Sequence, residues 1–467
     1  MAEEKSVGKL AEEKLVYKKR NVYEHATAED MARMFDYADG YKKFLDVAKT
    51  EREAVTVAVD MAKKAGYTEY RLGDKLKAGY KRYYKNHDKS IILFRVGHDD
   101  IEKEGARIIA AHIDNPRLDL KQVPLYEEAG MGFLKTHYYG GIKKYQWTAM
   151  PLALHGVVVL ADGTTVRVTV GEDEGDPVFY INDLLPHLAA KQSSEPLGQA
   201  IRGETLNILV GGIPYNDEDV SDKIKLNVLS ILNEKYGMTE EDFMSAELCL
   251  VPAFKARDIG FDRAFVGGYG HDDRVCSYPA LTALLSSEDT DRTVIVALAD
   301  KEEIGSEGVT GMQADILIDI LEEIAVSLGK NPRAARTASK CLSADVTAAY
   351  DPNFAEVYEK RNSSLVSCGT ALCKFTGARG KSGSSDASAE FVGFVRRIFA
   401  DAGVAWQTAE LGRVDEGGGG TVAKYIANHN IETVDIGVPV ISMHAPYEVI
   451  SIADMYATYE AFVAFIR

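Results

Sequence analysis

The chain has 467 residues, 46% of them hydrophobic and 27% charged, and a formal net charge of −17 at pH 7. That length exceeds one ordinary compact core, so two domains are expected. No Lys/Arg-rich segment offsets the acidity, which excludes nucleic acid and anionic membrane as general partners. Five cysteines (Cys249, Cys276, Cys341, Cys368 and Cys373) form no C-x-x-C pair. They read as buried thiols in a reducing compartment. Residues 1–20 are charged throughout and no stretch is apolar enough to span a bilayer, so the expected location is the cytoplasm.

In chain order, residues 1–25 read as an arm or a surface helix. Helix signals begin near Thr27, and Thr50-Glu51-Arg52-Glu53 has capping-box spacing before the apolar face of Val55, Ala58, Met61 and Ala62. Residues 81–84 and 90–96 flank Asn86-His87-Asp88 as a hairpin. Residues 107–111 form a buried strand that runs into His112-Ile113-Asp114-Asn115-Pro116. From about Lys121 the character changes. Residues 157–160 and 165–170 bracket Asp162-Gly163, a strong hairpin signal. Helices are expected over 182–190 and 219–236, and Glu172-Asp173-Glu174 reads as a solvated turn.

A strand over 248–254 resumes the first pattern. Helix 275–285, strand 293–299, helix 313–328, strand 341–346 and helix 385–402 then alternate. A helix opening at Gly420, strand 431–437 and helix 447–466 complete the chain. Such alternation implies an α/β fold, a three-layer sandwich with a mostly parallel central sheet. Its parts are residues 1–120 and 247–467, with 121–246 as an inserted, hairpin-rich domain. Sites in such sheets lie at the carboxyl ends of the strands.

The strand over 293–299 leads straight into Asp300-Lys301-Glu302-Glu303-Ile304-Gly305-Ser306. Paired acids in a poorly hydrated pocket repel. A cation relieves this, as does a division of labour in which one carboxylate binds metal and the other moves protons. His112 with Asp114, Asp272, Asp345 and His444 occupy comparable strand ends or turns. Singly, each has a structural reading: Asp114 or Asp345 as a turn cap, Asp272 in a helix N-cap region, His112 or His444 as a satisfied core imidazole. Jointly, imidazoles and carboxylates suit Zn²⁺, Co²⁺ or Mn²⁺, and the absence of Cys argues against a structural zinc. One bridging carboxylate, two flanking acids and two imidazoles would hold two ions roughly 3.5–4 Å apart.

The order His-x-Asp, Asp-Asp, Glu-Glu-Ile-Gly-Ser, Ser-Ala-Asp and Met-His resembles the aspartyl aminopeptidase family of co-catalytic zinc exopeptidases. The resemblance covers nearly the whole chain, the insertion included. It implies that His112, Asp272 and Asp345 hold one zinc, and that Asp272, Glu303 and His444 hold the other, with Asp272 bridging. It makes Glu302 the general base and Asp114 the acid that orients His112. The insertion would be a dimerisation domain lending a histidine, here His187, to a neighbouring active site, within a tetrahedral dodecamer.

The chain departs from the family pattern at Asn115-Pro116, Asp273, Asp351-Pro352-Asn353 and the run Gly417 to Gly420. None of these removes a ligand. They shape the pocket, so they bear on a preference for N-terminal Asp or Glu. The expected activity is hydrolysis of the N-terminal residue from peptides. A di-metal deacylase or amidase of N-acyl amino acids would use the same metals, and a non-catalytic peptide-binding scaffold would use none of the chemistry. Gly380-Lys381-Ser382 is no phosphate loop, because Phe375 stands where that loop needs Gly.

Overall fold

Strands Ala106–His112 and Thr293–Ala299 are, apart from Arg107 and His112, mostly small and β-branched residues, buried at every position. Such runs suit strands covered on both faces. In the computed structural model, which describes residues 6–287 and 290–467, the two pair in parallel from Thr293 opposite Ala106 to Ala299 opposite His112. Lys340–Ala344 pairs in parallel on the other side of Ala106–His112, and Glu432–Gly437 pairs in parallel beyond it. These four strands form the middle of a nine-stranded mixed sheet.

Pleating sends alternate residues to opposite faces. Ile109 and Ala111 join a core with helices Ala28–Val47, Glu51–Lys64, His271–Ser286, Ala389–Ala402 and Ile452–Ile466. Ile108 and Ala110 join a second core with Ile316–Ser327, Pro332–Ala338 and Ala423–Ala427. The capping box at Thr50 is present, with both hydrogen bonds made to and from Glu53, and Thr27 forms another with Asp30. The hairpin Lys81–Asn86 and Ser90–Arg95 forms as read. Helix Val7–Leu15 buries no residue, and all five cysteines are buried and free. Among the described residues, no helix is long and apolar enough to cross a membrane.

A second, antiparallel sheet of seven strands lies between Arg117 and Pro252, with helix Lys223–Tyr236 packed on it. It contains the expected hairpin of Leu152–Val159 with Thr165–Val170. It also contains Ala246–Pro252, which pairs with Leu152–Val159 and Arg117–Glu128 and not with the parallel strands. From Leu248 onwards that strand is buried on both faces, so its composition mimics a parallel core strand.

Other readings are corrected. Residues 182–190 form no α-helix: after strand Tyr180–Ile181 the chain is open until the single 3₁₀ turn Pro186–Leu188. Pro186 holds Leu185 extended at φ −65° and ψ 148°, which helix cannot accommodate. Residues 448–451 are a strand paired with Phe265–Gly268 and Pro439–Ile441, so the final helix starts only at Ile452.

Glu172 is not in a solvated turn. Its carboxylate accepts from His155 Nε2 at 3.0 Å and Lys255 at 2.8 Å, and pairs with the buried Lys49 at 2.7 Å. His155 Nδ1 reaches Glu53 at 2.7 Å, so this network joins the second sheet to the helical layer of the first. Burial opposes ionisation, but His155, Lys49 and Lys255 outweigh it and hold Glu172 at about 2, below the ordinary 4.5. Its stabilisation is therefore complete above pH 4.5 and drains away as pH falls towards 2. Glu172→Gln is expected to cost about 2–4 kcal/mol at pH 7, solvent screening included. Urea melts should show the gap from wild type narrowing below pH 4.5 and closing as pH approaches 2; a gap independent of pH would mean that charge is not what binds the layers.

Candidate metal centre

The four parallel strands end on one side of the sheet, and the residues following them face one another there. His112 is the last residue of its strand. Its Nδ1 donates to the Asp114 carbonyl at 3.1 Å and lies 3.3 Å from Asp114 Oδ1. The Nε2 lone pair therefore points the other way, to Asp272 Oδ1 at 3.2 Å and Asp345 Oδ1 at 3.8 Å. His444 is arranged likewise. Its Nδ1 donates to the Gly141 carbonyl at 2.7 Å, leaving Nε2 3.1 Å from Asp272 Oδ2 and 3.5 Å from Glu303 Oε2.

With neutral imidazoles each contact sets a nitrogen lone pair against a carboxylate oxygen. Two acceptors at such distances repel unless a proton on Nε2 or a metal cation lies between them. The two oxygens of Asp272 face the two histidines, so this one carboxylate is shared. Asp272 directly precedes Asp273 at the start of helix His271–Ser286, where Gly270 has the left-handed φ of 81°. A Cβ at Gly270 would come within 2.2 Å of Arg274 and 2.9 Å of Asn115. The backbone of Asp272 is held by Asn115, which donates to its carbonyl, and by Glu448, which accepts from its N–H at 3.1 Å.

Beyond Ala299 the chain reverses through Lys301, whose φ of 68° is unusual for a residue with a side chain. The turn is fixed by Asp114. Its Oδ1 accepts from the Glu302 N–H at 3.1 Å and its Oδ2 from the Glu303 N–H at 3.2 Å. Glu303 thereby turns to His444, with its other oxygen buried and without a hydrogen-bond partner. Glu302 instead lines a cavity of about 270 Å³ together with Asp272, Asp345 and His444. Phe375, Arg379, Met443 and the run Gly417 to Gly420 are also part of its wall.

Electrostatics agree with the geometry. Burial, with Asp345 and Asp272 nearby, pushes Glu302 up to about 8. Burial and Asp272 raise Glu303 well above the usual carboxylate range, and burial raises Asp345. Against burial, Asp114, Asp272 and Asp345 raise His112, and Asp272 and Glu303 raise His444 to about 11. This is a pocket of surplus negative charge withdrawn from water, and its hard oxygen and borderline nitrogen donors fit divalent zinc. Groups His112, Asp272, Glu303 and His112, Asp273, Asp345 each bring ligand atoms within 4.8 Å of one another.

Over residues 44–466 the sequence matches the aminopeptidase I zinc metalloprotease family, M18. The chain belongs to that family. A probable M18 family aminopeptidase 1 of Clostridium acetobutylicum is 47% identical over 96% of this chain and 98% of its own length. Its namesake in Thermotoga maritima is 42% identical over 95% and 98%. The crystal structure of the Thermotoga maritima M18 aminopeptidase superposes with a TM-score of 0.92 at 40% identity, covering 97% of this chain and 99% of that one. Aminopeptidase I of Clostridium acetobutylicum gives 0.91 at 44%, covering 97% and 100%. As an M18 protein, the chain is a zinc metallo-aminopeptidase, a hydrolase acting on peptides.

The seven site residues nominated around the Glu302-Glu303 turn meet in this M18 centre, whereas His187 is exposed and, among the described residues, makes no hydrogen bond or ion pair with it. Three residues that touch the site escaped the sequence. Glu448, buried, accepts from the backbones of Asp272 and His444, the latter at 2.7 Å. Tyr139 donates to Asp114, and Gly141 accepts from His444. Glu448 lies in the segment misread as helix, and Tyr139 carries no local signal.

Proposed function

We propose that two zinc ions occupy this centre, one held by His112, Asp272 and Asp345 and the other by Asp272, Glu303 and His444. The observation that carries the reading is Asp272, whose two oxygens face the Nε2 atoms of both imidazoles. When bound, such a pair polarises a carbonyl and lowers the pKa of water. Glu302 takes the proton of the attacking water and delivers it to the leaving amine, as an unliganded carboxylate at the cavity wall suits. Asp114 holds the orientation of His112 and the Glu302-Glu303 turn.

The reaction is removal of the N-terminal residue of a peptide, its protonated α-amine met by the surplus carboxylates. An aminoacyl anilide should be cleaved at least ~100-fold faster than its N-acetylated form, because a site built for the amine is left unpaired without it. Equal rates, or a preference for the N-acetyl compound, would indicate the deacylase reading instead.

We read the two cores flanking the nine-stranded sheet as a three-layer sandwich and the second sheet as a dimerisation domain. The exposed apolar Leu184, Leu185 and Leu188 around His187 support its contact with a second copy, into whose site His187 would reach. Assembly as a tetrahedral dodecamer in the cytoplasm completes the reading; a solved relative is described as the S. cerevisiae mApe1 dodecamer.

A further inference from the structure

We propose that Tyr139-Gly140-Gly141, where strand Met131–Tyr139 of the second sheet ends, is a positioning element for both metal sites. The inference rests on the two-ion reading. Three contacts from this tripeptide reach three different site residues. The Tyr139 hydroxyl donates to Asp114 Oδ2 at 2.8 Å. Gly140, at φ 76°, lies so close to Glu303 that an added Cβ would sit 3.2 Å from Oε2. The Gly141 carbonyl accepts from His444 Nδ1 at 2.7 Å, which fixes the tautomer whose Nε2 faces Asp272.

The element is itself held rigid. Arg117 stacks on the Tyr139 ring with its guanidinium 4.0 Å from the centroid. That guanidinium is tied to Glu51 at 3.1 Å and to Asp119 at 2.7 Å. The nominated ligands all lie outside the second sheet, so this tripeptide is where that sheet aims them. Tyr139 acts through Asp114, which orients His112. Gly140 and Gly141 act on Glu303 and His444. Because Asp114 Oδ2 also accepts from the Glu303 N–H, the Tyr139 half bears on both ions, whereas Gly140 and Gly141 bear on the one beside Glu303 and His444.

Tyr139→Phe keeps the ring and its stack on Arg117 and deletes only the hydroxyl. Metal-free wild type and variant are titrated with Zn²⁺ against a chromophoric chelator, alongside kcat, KM and the Tm of the metal-free proteins. In the variant at least one of the two ions should bind about 10-fold more weakly, as is typical when a partner behind a ligand is lost. A similar fall in kcat at constant KM is expected, and the metal-free Tm should hold. Gly140→Ala should weaken the ion beside Glu303. Wild-type affinities in Tyr139→Phe, or a lowered metal-free Tm with unchanged affinities, would overturn the proposal alone. A wild-type chain that takes up no ions overturns the metal reading and this proposal with it.

Discussion

Asp272→Ala is expected to abolish binding of the metal pair and to lower turnover by about 10⁴-fold. A metal centre supplies several kcal/mol of charge stabilisation, and each 1.36 kcal/mol is about tenfold in rate. The size follows from sharing. Asp345 faces His112 only and Glu303 faces His444, but Asp272 faces both imidazoles, at 3.2 and 3.1 Å. On the proposed two-ion reading, removing it takes a ligand from each ion and the bridge that offsets their mutual repulsion. The fold should survive, since Asn115 and Glu448 grip the backbone of residue 272 and not its side chain. The metal-free Tm should fall modestly, because without metal the Asp272 carboxylate pairs with both imidazoles. Elemental analysis of the dialysed variant gives the zinc content and a peptide assay the turnover. Two retained ions would show that Asp272 is no bridge.

The parts of this molecule legible in the sequence are those whose chemistry is local. Thr293–Ala299 can be read because a seven-residue run of apolar, largely β-branched residues has no other comfortable state. The acids that follow it are conspicuous because strand ends rarely carry them in pairs. What stayed hidden depends on contacts between segments far apart. Tyr139 lies in a strand of ordinary alternation, and only the approach of the second sheet brings it to Asp114, 25 residues away. Glu172 sits in an acidic run that looks solvated until Lys49, 123 residues earlier, is folded beneath it (172 − 49). Glu448 stays hidden because the apolar stretch 447–466 reads as one helix, whereas Val449 and Ile450 form a short strand beside Val266. The strand Ala246–Pro252 shows the converse, with composition legible but partners not.

Glu302→Gln should leave both ions in place and lower kcat by about 10²–10⁴-fold, the worth of general-base help. Neighbours in sequence, Glu302 and Glu303 are separated by geometry. Asp114 accepts from both of their backbone N–H groups, and that turn sends Glu303 to His444 and Glu302 to the cavity wall. A carboxylate committed to a metal is a weaker base, and Glu302, not Glu303, lines the cavity, so the shuttle is Glu302. The amide keeps the size of Glu302 and can still hydrogen-bond a water, but it cannot take that water's proton. KM should therefore move little, because substrate contacts and metals remain. Glu303→Gln provides the contrast: there zinc is lost together with activity. A Glu302→Gln protein that turns over at the wild-type rate would take the proton shuttle away from this residue, and one that loses zinc would make it a ligand.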